Sequence, residues 1–355
     1  MKKTITAFIS LIILILVMTV AIKCFKTESI IKDDSKLQIV ATLFPQYDFA
    51  KQIVGDKADV TLLVGSGVET HNYEPTAKDM ITMMNDTDLF LFTGTYLEPW
   101  TEDIIDSLEE SNCEVIDISK NIELIKIEEF EERYINSEIL SEEHDHEHSE
   151  ENHEQEENMY DEHIENEVND ELEHIYEESD KHTDMYDAHI WQSPKNAIIM
   201  LENTLEAICE ADPENEEYYR NNAENYKNEI LKLDTEIEQI VENSERKEIA
   251  VGGEFAYSYL IEEYDLKFVS VYTNCGHGED PSIAKVKSVI DYINKYNMPV
   301  VYYEELSEGT VAKMIAEETE AEALILYSIH NGNPETDSYV SLMKKNIENL
   351  EKGLE

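Results

Sequence analysis

Three stretches of this chain set histidine where it could hold a cation. In Asp187-Ala188-His189-Ile190-Trp191-Gln192-Ser193-Pro194, His189 stands between an apolar Ile190-Trp191 pair and a Ser193-Pro194 helix start, which makes an ordered junction. Ordered imidazoles at the ends of elements are good metal ligands; the competing role for His189 is packing against Trp191. The second stretch, Gly65-Ser66-Gly67-Val68-Glu69-Thr70-His71-Asn72-Tyr73-Glu74-Pro75-Thr76-Ala77-Lys78-Asp79, reads as a Gly-rich turn after an apolar strand, leading through His71 into a helix. Between the two, from Glu142 to Asp187, come 21 Asp and Glu, one Lys (Lys181) and seven His: His144, His146, His148, His153, His163, His174 and His182. Imidazole alternating with carboxylate, as in His144-Asp145-His146-Glu147-His148, offers many weak sites for a borderline divalent cation. That segment cannot bury enough apolar surface to offset its ordering entropy, so it is expected to be a mobile insertion that burdens the fold little. Its plainer alternative is a solvated acidic spacer.

The pattern G-x(5)-H-x-Y-E-P-T-x-x-D followed by D-x-H-I-W-x-x-P resembles the metal-binding receptors of zinc and manganese ABC importers, a family of extracytoplasmic substrate-binding lipoproteins. The resemblance covers nearly the whole chain from Leu37 onward. Tyr339-Val340-Ser341-Leu342-Met343-Lys344-Lys345-Asn346 near the end matches the family's Y-x-x-x-M-x-x-N, and Asp280-Pro281-Ser282 stands at its E-P-S position. It implies that His71 and His189 bind the metal, and that an acidic, His-rich loop belongs before the second motif, as in zinc receptors of this kind. It also implies a permease as partner.

The chain departs from the family where the remaining ligands are expected. The family's third histidine belongs to H-x-A-F-x-Y-L, but aligning Ala256-Tyr257-Ser258-Tyr259-Leu260 leaves Glu254 near that position and no histidine. The late aspartate is replaced by Tyr327-Ser328-Ile329-His330-Asn331. Chemistry offers Glu254, which follows Gly252-Gly253 at a strand end, and His330, just past another. Cys275 and His277, in the Gly-flanked loop Asn274 to Asp280, are the alternative pair. An N3O set of His71, His189, His330 and Glu254 suits zinc, Cys275 would push further toward zinc, and extra carboxylate would suit manganese. Zinc is the expected ion and manganese the alternative.

Composition narrows the partners. With 27 Lys and Arg against 80 Asp and Glu the net charge is -53, which excludes nucleic acid and makes adhesion to an anionic bilayer by charge alone implausible. Attachment to a membrane is expected from residues 1–26, where Lys2-Lys3, an apolar run from Ile5 to Ile22 and Lys23-Cys24 read as a secretion signal or signal anchor. Cys24 stands where bacterial lipoproteins are acylated, but Lys23 replaces the small residue expected before it; an uncleaved run of this length could itself span a bilayer. Either outcome tethers the protein outside the cytoplasm. Cys113 and Cys209 read as core residues, and no disulfide framework is indicated.

Apolar runs of four to six residues alternate with helical periodicity on both sides of the acidic segment, which predicts an α/β protein of two lobes, each a small, mostly parallel sheet flanked by helices. The expected divisions are a lobe over 36–140, the acidic loop over 141–186, the second motif with connecting helices over 187–246, and a second lobe over 247–355. The connector has no strand signal for fifty residues and should carry a helix of about thirty, with the metal in the cleft between lobes. A monomeric receptor without catalysis is the leading function. A zinc hydrolase using Glu254 as general base is disfavoured by the lack of H-E-x-x-H, and a zinc reservoir or adhesin built on the acidic loop is the third reading.

Overall fold

The computed structural model describes residues 36–68, 70, 73–95, 98–111, 113–135, 186–272 and 281–355. The first lobe runs β1 (Gln38–Ala41), α1 (Phe44–Val54), β2 (Asp59–Leu62), α2 (Ala77–Asp86), β3 (Leu89–Phe92), α3 (Glu102–Glu109), β4 (Glu114–Asp117) and α4 (Ile127–Ile135). Two helices follow, α5 (Pro194–Ala211) and α6 (Glu216–Asn243). The second lobe runs β5 (Glu248–Val251), α7 (Ser258–Glu263), β6 (Lys267–Ser270), α8 (Ile283–Tyr296), β7 (Val300–Tyr303), α9 (Thr310–Glu318), β8 (Glu322–Ile325) and α10 (Tyr339–Leu354).

Both sheets are parallel and share one strand order, β2-β1-β3-β4 in the first lobe and β6-β5-β7-β8 in the second. In each, the order reverses between the first and third strands of the lobe. Open parallel sheets bind ligands beside the carboxyl ends of strands flanking such a switch point. One apolar core extends from the first sheet through α1, α5 and α6 to the second sheet and α10, and smaller cores cover the outer face of each sheet. Burial on both faces explains why strands such as Leu89–Phe92 read as unbroken apolar runs.

The motif residues have structural work of their own. In the E-P-T-x-x-D stretch, Thr76 is the N-cap of α2: Asp79 N donates to Thr76 Oγ1 at 3.3 Å and Thr76 N donates to Asp79 Oδ2 at 2.9 Å, a reciprocal capping box. Ser193 caps α5 with Pro194 in the first turn, Ser282 caps α8, and Ser338 caps α10. On α6, Tyr226 donates to Asp48 of α1, while Asp234 accepts from Tyr264 Oη of the second lobe at 2.9 Å, so this 28-residue helix holds both lobes. Cys113 and Cys209 are buried thiols, as expected, and burial pushes Cys113 up to about 12.

Three elements differ from the sequence reading. The pattern from Tyr96 to Ser111 reads as one helix, but the structure has a 3-10 turn at Pro99–Thr101 that continues as α3; Tyr96 and Leu97 lie outside the described residues. The pattern from Phe255 to Glu263 reads as a helix, but the helix starts only at Ser258, because Phe255 stacks on Phe268 at 4.2 Å and Tyr257 Oη donates to the Leu326 carbonyl at 2.5 Å. These tertiary contacts hold Phe255-Ala256-Tyr257 outside a helix. The acidic α4 was not expected; its Phe130 is buried and stacks on Phe268 at 5.6 Å. Among the described residues no helix is long and apolar enough to cross a membrane, and residues 1–35 lie outside them.

Candidate metal centre

His189 occupies the residue before a 3-10 turn, Ile190–Gln192, that leads into α5. Its ring is 3 % exposed and meets Trp191 edge to face at 5.7 Å. The packing role considered for it is therefore present. Asp187 Oδ1 accepts from His189 N at 2.7 Å and lies 3.0 Å from His189 Nδ1. The other oxygen, Oδ2, accepts from Ser258 Oγ at 2.6 Å. Burial alone would raise the Asp187 carboxyl, but the adjacent imidazole and the hydrogen bonds from His189 and Ser258 outweigh it and hold the carboxyl below its ordinary value. An ionised carboxylate only accepts, so Nδ1 is the nitrogen that donates to Asp187; a neutral ring held this way would have its lone pair on Nε2, the arrangement in which a histidine binds metal.

His330 lies five residues beyond β8 and is also 3 % exposed; its ring centroid is 5.8 Å from that of His189, with the planes at 46°. Its Nδ1 is 2.8 Å from Ser328 Oγ. Ser328 Oγ donates to Glu305 Oε1 at 2.9 Å, so the hydroxyl oxygen accepts from His330 Nδ1. Glu305 also accepts from Ser328 N at 2.7 Å and Ile329 N at 3.2 Å. Burial pushes the Glu305 carboxyl up, and these hydrogen bonds only partly oppose it. Between Ser328 and His330, Ile329 has φ +65°, a left-handed conformation that a β-branched side chain resists by about 1–3 kcal/mol. Hydrogen bonds on either side hold that strain, and it sets the direction in which His330 leaves the chain.

The two histidine segments are also tied to each other. Trp191 Nε1 donates to the Ser328 carbonyl at 2.8 Å, and Gln192 Nε2 donates to the same oxygen at 2.5 Å and to Tyr327 O at 3.1 Å. Tyr339 Oη, on α10, donates to Trp191 O at 2.8 Å. The H-I-W-Q residues thus fix the position of a loop more than 130 residues away.

Glu254 follows Gly252-Gly253 at the end of β5, as expected, and the close approach needs those glycines: a Cβ on Gly253 would lie 3.0 Å from Tyr303 Cα and one on Gly252 2.8 Å from Ala312 Cα. Glu254 N donates to Glu304 Oε2 at 3.0 Å, and Glu304 is raised by burial with Glu254 adding to the effect. Among the described residues no group of three His, Cys, Asp or Glu side chains is close enough to hold a metal, so Glu254 is not gathered with His189 and His330 here. His71, Cys275 and His277 lie outside the described residues, as do the loop histidines His144, His146, His148 and His153. The sequence reading did not single out Asp187, Ser328 or Glu305. Asp187 was findable from the D-x-H spacing; the Ser328–Glu305 relay joins two strand ends and has no local signature.

Two α/β lobes with matching parallel sheets, joined by long helices, have the architecture of a two-lobed solute receptor. Residues 39–353 match the family model described as zinc-uptake complex component A, periplasmic, and the chain belongs to that family. It is 30% identical over 323 residues to the high-affinity zinc uptake system protein ZnuA of Bacillus subtilis, covering 90% of this chain and 88% of that one. The zinc-binding lipoprotein AdcA of Streptococcus pneumoniae is 27% identical over 323 residues, 90% of this chain but 56% of AdcA. Among solved structures, the metal-dependent lipoprotein YcdH of Bacillus subtilis superposes with a TM-score of 0.66 at 28% identity, covering 90% of this chain and 99% of that one.

Proposed function

We propose that this chain captures extracytoplasmic Zn2+ as cargo through His71, His189, His330 and Glu254 and delivers it to an ABC importer, without catalysis. The observation that carries this reading is the buried pair His189 and His330, each with Nδ1 committed to a supporting side chain so that Nε2 serves as ligand atom. Two imidazole donors favour zinc over manganese, for which oxygen donors are better suited. His71 enters from its motif. Glu254 would approach from the end of β5 as metal draws the shell together. The loop histidines, His144, His146, His148 and His153 among them, add weak sites that raise local zinc. We place the chain as a monomer at the outer face of the cell membrane, held through residues 1–26; the relatives called lipoproteins favour acylation of Cys24 over an uncleaved helix.

Calorimetric zinc titration of the full chain tests the proposal. One tight equivalent is expected beside weaker ones, and removal of residues 142 to 184 should leave the tight one. Loss of nearly all bound zinc on that deletion would instead identify a reservoir.

A further inference from the structure

Asn331, next to His330, is 5 % exposed, and both halves of its amide are engaged with a turn in the other lobe. Gly67 N donates to Asn331 Oδ1 at 2.8 Å, and Asn331 Nδ2 donates to Val68 O at 3.0 Å. The turn is Gly65-Ser66-Gly67-Val68: Val68 N donates to Gly65 O at 3.2 Å and Gly67 has φ +80°, as the third position of a type II turn requires. Two bonds to one backbone segment fix orientation as well as distance, and they need a group that both accepts and donates, which an amide supplies and a carboxylate does not. The turn stands three residues before His71 in the sequence, and the amide stands one residue after His330.

We propose that Asn331 is a positioning residue for zinc capture, clasping the Gly65–Val68 turn of the first lobe, three residues before His71 in the sequence, to the segment that carries His330. The inference rests on the ligand reading above and adds to it a reason why the site assembles from two lobes. Asn331 acts by setting the register between the turn and the strained Ile329-His330 corner. A substitution there should therefore weaken zinc only while His71 is present.

A double-mutant cycle on the full chain separates this from a merely structural staple. Zinc affinity is measured by chelator competition for wild type, Asn331→Ala, His71→Ala and the double variant, with thermal unfolding of each zinc-free protein recorded alongside. All four carry the same acidic loop, so its weak binding cancels. Asn331→Ala should weaken zinc about tenfold in the wild-type background and less than about twofold once His71 is gone, with little change in zinc-free unfolding. Asn331→Asp, nearly isosteric, keeps the acceptor for Gly67 N but sets an oxygen against Val68 O, and should be at least as weak as Asn331→Ala. Equal weakening in both backgrounds, or wild-type affinity in Asn331→Ala and Asn331→Asp, overturns the inference while leaving the ligand reading in place. Wild-type affinity in His71→Ala overturns that reading, and this inference with it.

Discussion

His189 and His330 reach the same state by supports of different depth. Asp187 meets the His189 ring directly at 3.0 Å, whereas Glu305 reaches His330 only through the Ser328 hydroxyl. The two buried carboxylates respond oppositely: the imidazole beside Asp187 helps hold it below its ordinary value, while Glu305, one side chain removed, is left raised by burial. A carboxylate against the ring orients it and adds charge; one behind a serine mainly orients. The supports should therefore matter unequally for metal affinity even though the rings lie only 5.8 Å apart.

The comparison breaks most visibly at the ligands themselves. His189→Ala should abolish the tight zinc site, and His330→Ala should weaken it by at least tenfold, about 1.4 kcal/mol, with both chains still folded by circular dichroism. Unchanged titrations for both variants would remove the basis of the site. One step out, Asp187→Asn keeps the shape but loses the charge and the fixed tautomer, and affinity should fall about 10–100-fold, the usual range for such supports. Ser328→Ala should have a smaller effect, near the lower end of that range, because it removes an orienting bond without removing charge from the ring. If Ser328→Ala proved worse than Asp187→Asn by chelator competition, the ordering of the two supports would be wrong.

The smallest effect on zinc belongs to a buried carboxylate that supports no histidine. Glu98, after β3, accepts from Thr93 N at 2.8 Å and is raised from 4.5 to about 7 by burial, partly opposed by hydrogen bonds from Thr42, Thr93 and Gln46. A raised folded-state value means the folded chain binds the extra proton between those two values. The stability this supplies is full below 4.5 and is lost as pH rises through about 7. At about 1.4 kcal/mol per unit the loss amounts to roughly 3 kcal/mol at most. Glu98→Gln should leave zinc affinity unchanged and flatten the fall in the zinc-free unfolding midpoint from pH 5 to pH 8. A wild-type slope retained in the variant would assign the effect to other buried carboxylates, such as Asp48 or Glu304, which are raised in the same direction.

Much of this architecture is legible in the residues. Strands such as Val300–Tyr303 and helices closed by Ser193-Pro194 or Ser282 are local signals, readable because propensity, capping and burial agree there. D-x-H-I-W announces an ordered histidine because the same few residues carry ring, support and packing partner. The His330 half is harder to read. Its serine relay, its Glu305 anchor at the end of β7 and the donors Trp191 and Gln192 come together only through the strand order of the second sheet and the entry into α5. The same applies to Phe255-Ala256-Tyr257, helical by pattern but held outside the helix by Phe268 and the Leu326 carbonyl. Glu254 was readable as a strand-end carboxylate, yet no pattern states how near it comes to the two rings.

The most direct test of a centre built on His189 and His330 is a zinc-edge anomalous map from crystals of the zinc-loaded chain. The account predicts one strong peak between the two rings, with Nε2 of each at about 2.0–2.1 Å and Nδ1 of each still bonded to Asp187 or Ser328. A tight zinc bound through Nδ1, or sited away from either ring, would contradict it.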